Sequence, residues 1–464
     1  MRLWRWLGGN RRGQLVALAL LALAVFTCGA NSRELKGIDV QYAETARQIL
    51  VRGDALTLVH DDRLYVNKPP LVLWLSALSM AVLGEDAAAA RLPTALFGVL
   101  AVVATTVLVR RFVGRAAGWI AGLAMTTTSF FFDTARDFRM DTALAAGIAL
   151  ALIGYRAARH HRWGPWLFFA GVVLGMLTKG PQGLLPIPLA LMHAAWCRRL
   201  AWPWSRSAAP WWAAASLLLL PAAWYVAQRV VHGAGAWEAM ATDAGNKQAD
   251  TDLAGIAWYF LRNLVSEWWP WWPLAAVGAV WSLRRLCSAA AARPRRAFEA
   301  LCWLWIGVVV AVTAWKRSEA IRYLVTCAPV MALFAARPLA RLARGRLPPW
   351  LPATCGVVGA AALTIVGFLP LPDAREATTA LGRELDRHLA PAAAVTLVPV
   401  DDNSVWWCRS WTRFHLRRDA TLVGLEAVPP GPVLIDRKRW GEAQALGMSE
   451  VARSRTFVLA LRAP

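Results

Sequence analysis

The chain has 464 residues, 57% of them hydrophobic, 27 tryptophans and a positive mean hydropathy of +0.40. That composition excludes an ordinary soluble domain and points to a protein with many membrane spans. The net charge of +22 does not mark a nucleic-acid binder, because the cations fall in short clusters between apolar runs rather than on one soluble face.

A basic opening, Arg2 to Arg12, precedes apolar Leu15 to Ala30. It reads as an uncleaved first span rather than a signal peptide, because more spans follow. The next stretch, Arg33 to Pro70, is polar and holds an isolated Asp39, an amphipathic helical pattern over Val40 to Leu50, and a turn Tyr65-Val66-Asn67-Lys68-Pro69-Pro70. Leu71 to Gly84 is apolar, but about 14 residues rise only ~21 Å, short of the ~30 Å hydrocarbon core. An interfacial or re-entrant helix is expected there.

Apolar stretches near 14–30, 91–112, 116–133, 141–158, 164–180, 183–197, 209–231, 270–284, 298–315, 321–336 and 350–371 each suit a crossing, about eleven in all. Six arginine clusters separate them, at Arg2 to Arg12, Arg110 to Arg115, Arg156 to Arg162, Arg198 to Arg206, Arg284 to Arg296 and Arg337 to Arg346. No Asp or Glu lies in those loops, so the positive-inside bias puts all six on the cytoplasmic side, with the C-terminal region outside. Nearly every acid then faces outward; Glu299, at the foot of a span, is the exception.

The second outer loop, 232–268, carries Asn246, Lys247, Trp258 and Tyr259, and the group Trp268-Trp269-Pro270-Trp271-Trp272 follows. Those tryptophans read most simply as an interfacial belt, and more sharply as a sugar-stacking platform. Beyond 371 the pattern changes to that of a small α/β domain: helices over Gly382 to Leu389, Val405 to Leu416 and Trp440 to Leu446, and strands over Ala394 to Val400, Thr421 to Leu425, Val433 to Asp436 and Thr456 to Leu461. The expected division is a membrane catalytic domain over 1–371, with outer loops 31–90 and 232–268, and an extracytoplasmic domain over 372–464. Seven cysteines show neither metal-ligand spacing nor a disulfide framework.

Charges at outer span ends are the candidates for chemistry: Asp39, Lys68, Asp141, Lys179, Lys316, Arg317 and Arg322. Singly, each has a plain structural explanation. The cations would snorkel, Asp39 would cap the helix after it, and Asp141 would cap the fourth span. Jointly, outer cations run against the bias that the arginine clusters obey. Such cations suit holding a lipid-linked phosphate at headgroup level, and a carboxylate suits accepting a proton from an attacking hydroxyl.

At these residues the sequence resembles the GT-C superfamily of membrane glycosyltransferases, in the branch of the aminoarabinose lipid A transferases and the dolichyl-phosphate-mannose protein mannosyltransferases. The matching residues are Gly37-Ile38-Asp39 with Tyr42-Ala43-Glu44 and Ala46-Arg47; Gly53-Asp54; Arg63-Leu64-Tyr65 with Asn67-Lys68-Pro69-Pro70-Leu71; Ala90-Arg91-Leu92-Pro93; Arg139-Met140-Asp141; Gly175 with Thr178-Lys179-Gly180-Pro181; and Arg322-Tyr323-Leu324 with Pro329. They run in order from Gly37 to Pro329, and the ordered set is more specific than any one motif.

The resemblance implies an inverting transferase of the bacterial inner membrane that uses an undecaprenyl-phosphate or other polyprenyl-phosphate sugar. The acceptor would be lipid A, another envelope glycan or a protein. Asp39 takes the loop-acid role and Asp141 that of the second acid. Lys68, Lys179, Lys316, Arg317 and Arg322 bind the donor phosphate, and Glu44, Tyr65, Asn67, Trp258, Tyr259 and Tyr323 line the pocket. Relatives often have an Asp-Glu pair where Ile38-Asp39 or Asp39-Val40 stands here. They often have Glu where Asn67 stands, and some bind a divalent ion with it; an amide is a poorer ligand than a carboxylate, so no cofactor is required and a divalent metal is disfavoured. Two rival readings are a transporter or lipid flippase, which calls for ionisable groups at mid-bilayer depth and duplicated halves, and an inactive transferase-derived binding protein, motivated by Val40 and Asn67.

Overall fold

A computed structural model describes residues 11–199, 209–236, 238, 240, 253–288, 291–315, 321–342, 374–390, 393–401 and 405–462. The chain divides into two compact units. The first comprises Met1–Phe26, Val66–Val72 and Thr94–Ala362; the second comprises Thr27–Tyr65, Leu73–Pro93 and Leu363–Pro464.

The first unit is helical and is that of a membrane protein. Among the described residues five helices are long and apolar enough to cross a bilayer, and a sixth is counted if the bent pair Ser129–Arg136 and Asp141–Ala157 is one span. Other expected crossings form shorter helices, such as Arg11–Thr27 and Pro186–Arg199. The stretch 350–371 lies outside the described residues.

The stretch 116–133, expected as one span, is broken. Arg115–Thr127 ends at an extended Thr128, and Ser129–Arg136 is a separate helix. Three successive threonines explain the break, because Thr126, Thr127 and Thr128 each turn a hydroxyl back onto the carbonyl four residues earlier, at 2.9, 2.9 and 2.6 Å. Such back-bonding bends helices. The next amide, Ser129 N–H, leaves the ladder and donates to Trp269 O at 3.1 Å.

The Asp141–Ala157 and Gly164–Lys179 helices form an antiparallel hairpin. Their facing surfaces are glycine: a Cβ on Gly147 would stand 2.6 Å from Gly171 O, and one on Gly154 would stand 2.6 Å from Gly164 O. Small residues let membrane helices approach backbone to backbone. This contact fixes the hairpin register, and so sets which residues meet at its open end.

In the second unit, Ile38–Arg52 forms the expected amphipathic helix. Its N-cap is Gly37 at φ 57°, with no side-chain capping bond, so Asp39 is not the cap but sits in the first turn. Asp141 likewise does not cap its helix; Met140 occupies that position. Leu71–Leu83 is a helix of 13 residues, ~20 Å long and too short to cross. Its Trp74 indole donates to Ala55 O at 2.7 Å. Val59–His60 and Arg63–Leu64 pair as a hairpin whose two turn residues, Asp61 and Asp62, both have positive φ, as the primed turns require.

The C-terminal part of this unit is a five-stranded sheet in the order Ala420–Leu422, Val395–Val398, Gly431–Asp436, Phe457–Arg462, Ser449–Arg453. The first three strands are parallel and the last two antiparallel. The Ser449–Arg453 strand was not expected. It carries a bulge between Glu450 and Ala452 and alternates only weakly. Val398, Val433, Ile435, Met448 and Ala460 form the core on one face.

The Val405–Trp411 helix packs on Ile38–Arg52, tying the C-terminal segment to the 38–52 helix within one unit. Glu34 is buried and accepts from the Trp411 indole at 2.5 Å. Arg91 is buried too, and donates to Ala30 O and Arg33 O at 2.8 and 2.5 Å. The Ala90-Arg91-Leu92-Pro93 motif is therefore a clamp on the Ala30 to Glu34 turn.

Candidate active site

The site in the first unit starts from the open end of the hairpin. Asp141 is the first residue of its helix and Lys179 the last of its own, so the antiparallel register sets them side by side. Lys179 Nζ donates to Asp141 Oδ1, and both side chains are more than nine-tenths buried, at 8% and 6% exposure. A buried charge is tolerated only when paired, and each of these groups supplies the other's partner.

The ammonium also stands 4.6 Å from the Tyr323 ring centroid, inside cation–π range. The Arg322 guanidinium lies 5.8 Å from the same ring. Tyr323 belongs to the 3₁₀ segment Ile321–Cys327, and next to it lies a small apolar cavity lined by Leu144, Leu185, Val309 and Val312.

The chain turns sharply after Lys179. Gly180 has φ 69° and ψ −138°, a conformation side chains rarely adopt, and leads into the 3₁₀ segment Gly180–Leu184. A Cβ there would meet Tyr225 Oη at 3.1 Å and Pro69 Cγ at 3.8 Å. The Asn67-Lys68-Pro69-Pro70 turn thus abuts the Thr178-Lys179-Gly180-Pro181 turn. Lys68 is half-buried, with Nζ donating to Asn67 O at 3.0 Å, and Asn67 is exposed.

In the sequence these residues stand far apart. The structure brings Lys179, Asp141, Tyr323 and Arg322 into one cluster and sets the Lys68 turn against it. Lys316 and Arg317 lie outside the described residues. Trp258 and Tyr259 are not in a loop but on the Leu253–Glu267 helix, which packs on Ser129–Arg136; Trp258 is exposed and Tyr259 half-buried. The tryptophans of the Trp268 to Trp272 group differ in exposure. Trp269 is exposed, but Trp268 is buried edge-on to Phe130, and the Trp271 indole donates to Thr127 Oγ1 at 2.9 Å.

The remaining expected site residues belong to the second unit. Asp39 is buried in the first turn of its helix, where the helix N-terminus favours an anion. Glu44 is buried as well. Its carboxylate is engaged by Arg47 at 2.7 and 2.8 Å and by Gln48 at 2.6 Å. Tyr65 is buried, bonds through its backbone N–H to Leu58 O at 2.7 Å, and stands edge-on to His60, whose ring meets Ser410 Oγ at 2.7 Å. Arg91 and Glu34 are the residues that sequence reasoning did not assign. Arg91 had a signal, its place in a matched motif, whereas Glu34 had none.

Residues 67–226, which include Lys68, Asp141 and Lys179, match the family described as dolichyl-phosphate-mannose-protein mannosyltransferase. An uncharacterized protein of Aquifex aeolicus is 29% identical over 174 residues, 37% of this chain; the chain matches 35% of that protein's length. Among solved structures, ArnT from Cupriavidus metallidurans bound to undecaprenyl phosphate superposes with a TM-score of 0.64 at 18% identity, covering 97% of this chain and 98% of that one. The archaeal oligosaccharyltransferase AglB from Archaeoglobus fulgidus, in complex with an inhibitory peptide and a dolichol-phosphate, gives a TM-score of 0.53 at 12% identity, covering 93% and 70%. The fold is that of the GT-C superfamily of membrane enzymes, as the ordered motifs implied.

Proposed function

We propose that the protein is a glycosyltransferase that moves a sugar from a polyprenyl phosphate, undecaprenyl phosphate in a bacterial inner membrane, to an acceptor on the outer side: lipid A, another envelope glycan or a protein. The observation that carries this reading is the anchored cation Lys179, buried, held by Asp141 and faced by Tyr323, with the Lys68 turn against it. A pre-set ammonium in a site of low dielectric stabilises charge that develops on a leaving group, and needs no reorganisation to do so. The lipid class is supported by the undecaprenyl phosphate bound to ArnT and the dolichol-phosphate bound to AglB.

In this scheme the acceptor oxygen bonds to the anomeric carbon as its proton passes to a carboxylate base, the role that the resemblance in sequence gives to Asp39. The bond from that carbon to the phosphate oxygen breaks, and its electron pair leaves on the phosphate, where Lys179, Lys68 and Arg322 offset the charge. A single displacement inverts the carbon. Asp141, engaged by Lys179, is a positioning residue for that lysine rather than the base, and Glu44 is structural.

The test combines two measurements. Mass spectrometry of the envelope of a deletion strain should show one glycolipid or glycoprotein lighter by one sugar. The purified protein should transfer from one of a panel of synthetic polyprenyl-phosphate sugars, and a folded Asp39→Asn form should not. Donor binding without transfer from any of them, and no mass change in the deletion strain, would leave a binding protein instead.

A further inference from the structure

The first unit has a second polar centre, at the far end of the hairpin from Lys179. Along the Asp141–Ala157 helix, Arg156 is 15 residues from Asp141, or ~22 Å. There a cavity of about 430 Å³ is lined by Arg111, Arg156, Arg159, Arg285, Arg295 and Arg337, opposed by a single carboxylate, Glu299.

Glu299 does not neutralise this wall. It is buried, accepts from Ser282 Oγ at 2.6 Å, pairs with Arg337 at 2.8 Å and lies 3.8 Å from Arg285. Arg337 is only 4% exposed, and its Nε has no hydrogen-bond partner among the described residues. A buried guanidinium N–H left unmatched is costly, and one lining a cavity marks where an acceptor belongs. The other wall is aromatic. Phe112 and Phe298 stack at 3.9 Å and 14°, with Arg156 5.4 Å from the Phe112 centroid and Arg337 5.7 Å from the Phe298 centroid. Aromatic rings under the guanidiniums hold them in place and give the cavity an apolar side.

We infer that this cavity binds a phosphate group, and that an anionic phospholipid headgroup in the inner leaflet supplies it. The chemistry is the match of planar guanidiniums to phosphate oxygens, with the apolar wall beside it for the glycerol and first methylenes. Basic pockets between spans on the cytoplasmic side suit such headgroups. This site is separate from the Lys179 cluster, and its failure would leave the proposed reaction untouched.

The test uses native mass spectrometry of the full chain in detergent, titrated with phosphatidylglycerol or, separately, with inorganic phosphate. Arg337 is a poor target, since its loss strands Glu299, so the variant is Arg111→Gln with Arg285→Gln, both exposed. Wild type should hold one phosphatidylglycerol that the double variant binds roughly thirtyfold more weakly, at about 1 kcal/mol per arginine removed. Millimolar inorganic phosphate should not displace it. Displacement by inorganic phosphate, with the same sensitivity to the variant, would keep the phosphate site but assign it a free anion. Equal retention of phosphatidylglycerol by wild type and variant would overturn the inference.

Discussion

Asp141 and Lys179 are 38 residues apart in the chain and form a buried ion pair at the open end of one helical hairpin. Removing either partner alone leaves the other charge buried and unmatched, at a cost of about 3–5 kcal/mol. Asp141→Asn and Lys179→Met should therefore each lower thermal stability, and the double variant should recover most of that loss. Activity should not recover in the double variant, because the ammonium is gone. A double variant that regains turnover would remove Lys179 from the chemistry.

Tyr323 contributes its ring face to the same ammonium. Tyr323→Phe keeps the face and should leave polyprenyl-phosphate affinity within about twofold, whereas Tyr323→Leu should weaken it about fivefold, as for a cation–π contact of ~1 kcal/mol. Isothermal titration with undecaprenyl phosphate separates these outcomes. Equal losses in both would point to the hydroxyl instead.

Gly180 joins the two lysine turns and does so in a glycine conformation. Gly180→Ala adds backbone strain of order 1–3 kcal/mol and a methyl 3.1 Å from Tyr225 Oη. Donor use should fall steeply. Tyr225→Phe in that background relieves the contact but not the backbone, so rescue should be partial; full rescue would show the φ angle to be unimportant.

How much of this was legible depends on the length scale of each signal. The Val40 to Leu50 helix and the short Leu71 to Gly84 element showed in local periodicity and length, and both are present. In the sequence Asp141 and Lys179 stand as separate span-end charges, because nothing local says that their helices pair. The available signal was the spacing of seven from Gly147 to Gly154 and from Gly164 to Gly171, two turns on each helix, which makes two faces that fit backbone to backbone. The break at Thr128 was hidden in apolar continuity, since threonine hydroxyls bend a helix without lowering its hydropathy much. The Leu253–Glu267 helix is masked in the sequence by the polar stretch it adjoins. Glu34 carried no pattern at all, since its partners Trp411 and Ser454 come from 377 and 420 residues away.

Arg91 holds the Ala30 to Glu34 turn through a fork of donors reaching two carbonyls at 2.8 and 2.5 Å and a third at 3.5 Å. A lysine supplies one point charge and cannot reproduce that fork. Arg91→Lys should destabilise this turn by about 2 kcal/mol, as hydrogen bonds from a charged donor contribute about 1.5–3 kcal/mol each. Limited proteolysis should then cut within residues 28–36 before any other described loop of the second unit. An unchanged cleavage pattern would show the clamp to be redundant.

His415 gives this unit a pH dependence whose sign follows from its surroundings. Its Nε2 lies 3.2 Å from Leu35 O, and burial, with Arg91 and Arg417 nearby, pushes the imidazole down to about 4 from its ordinary 6.5. Between these values the unfolded chain holds a proton that the folded one excludes, so stability is complete above about pH 6.5 and declines as pH falls toward 4. By linkage this contribution is at most about 3 kcal/mol. Glu34, pushed upward by burial, works the other way: folding favours its protonated form, so its contribution weakens as pH rises above about 4.5. The two are separable because His415→Asn abolishes only the first. Melting of wild type at pH 7 and pH 5 should show a drop that His415→Asn reduces; a variant with the same drop would mean that other groups carry the acid sensitivity.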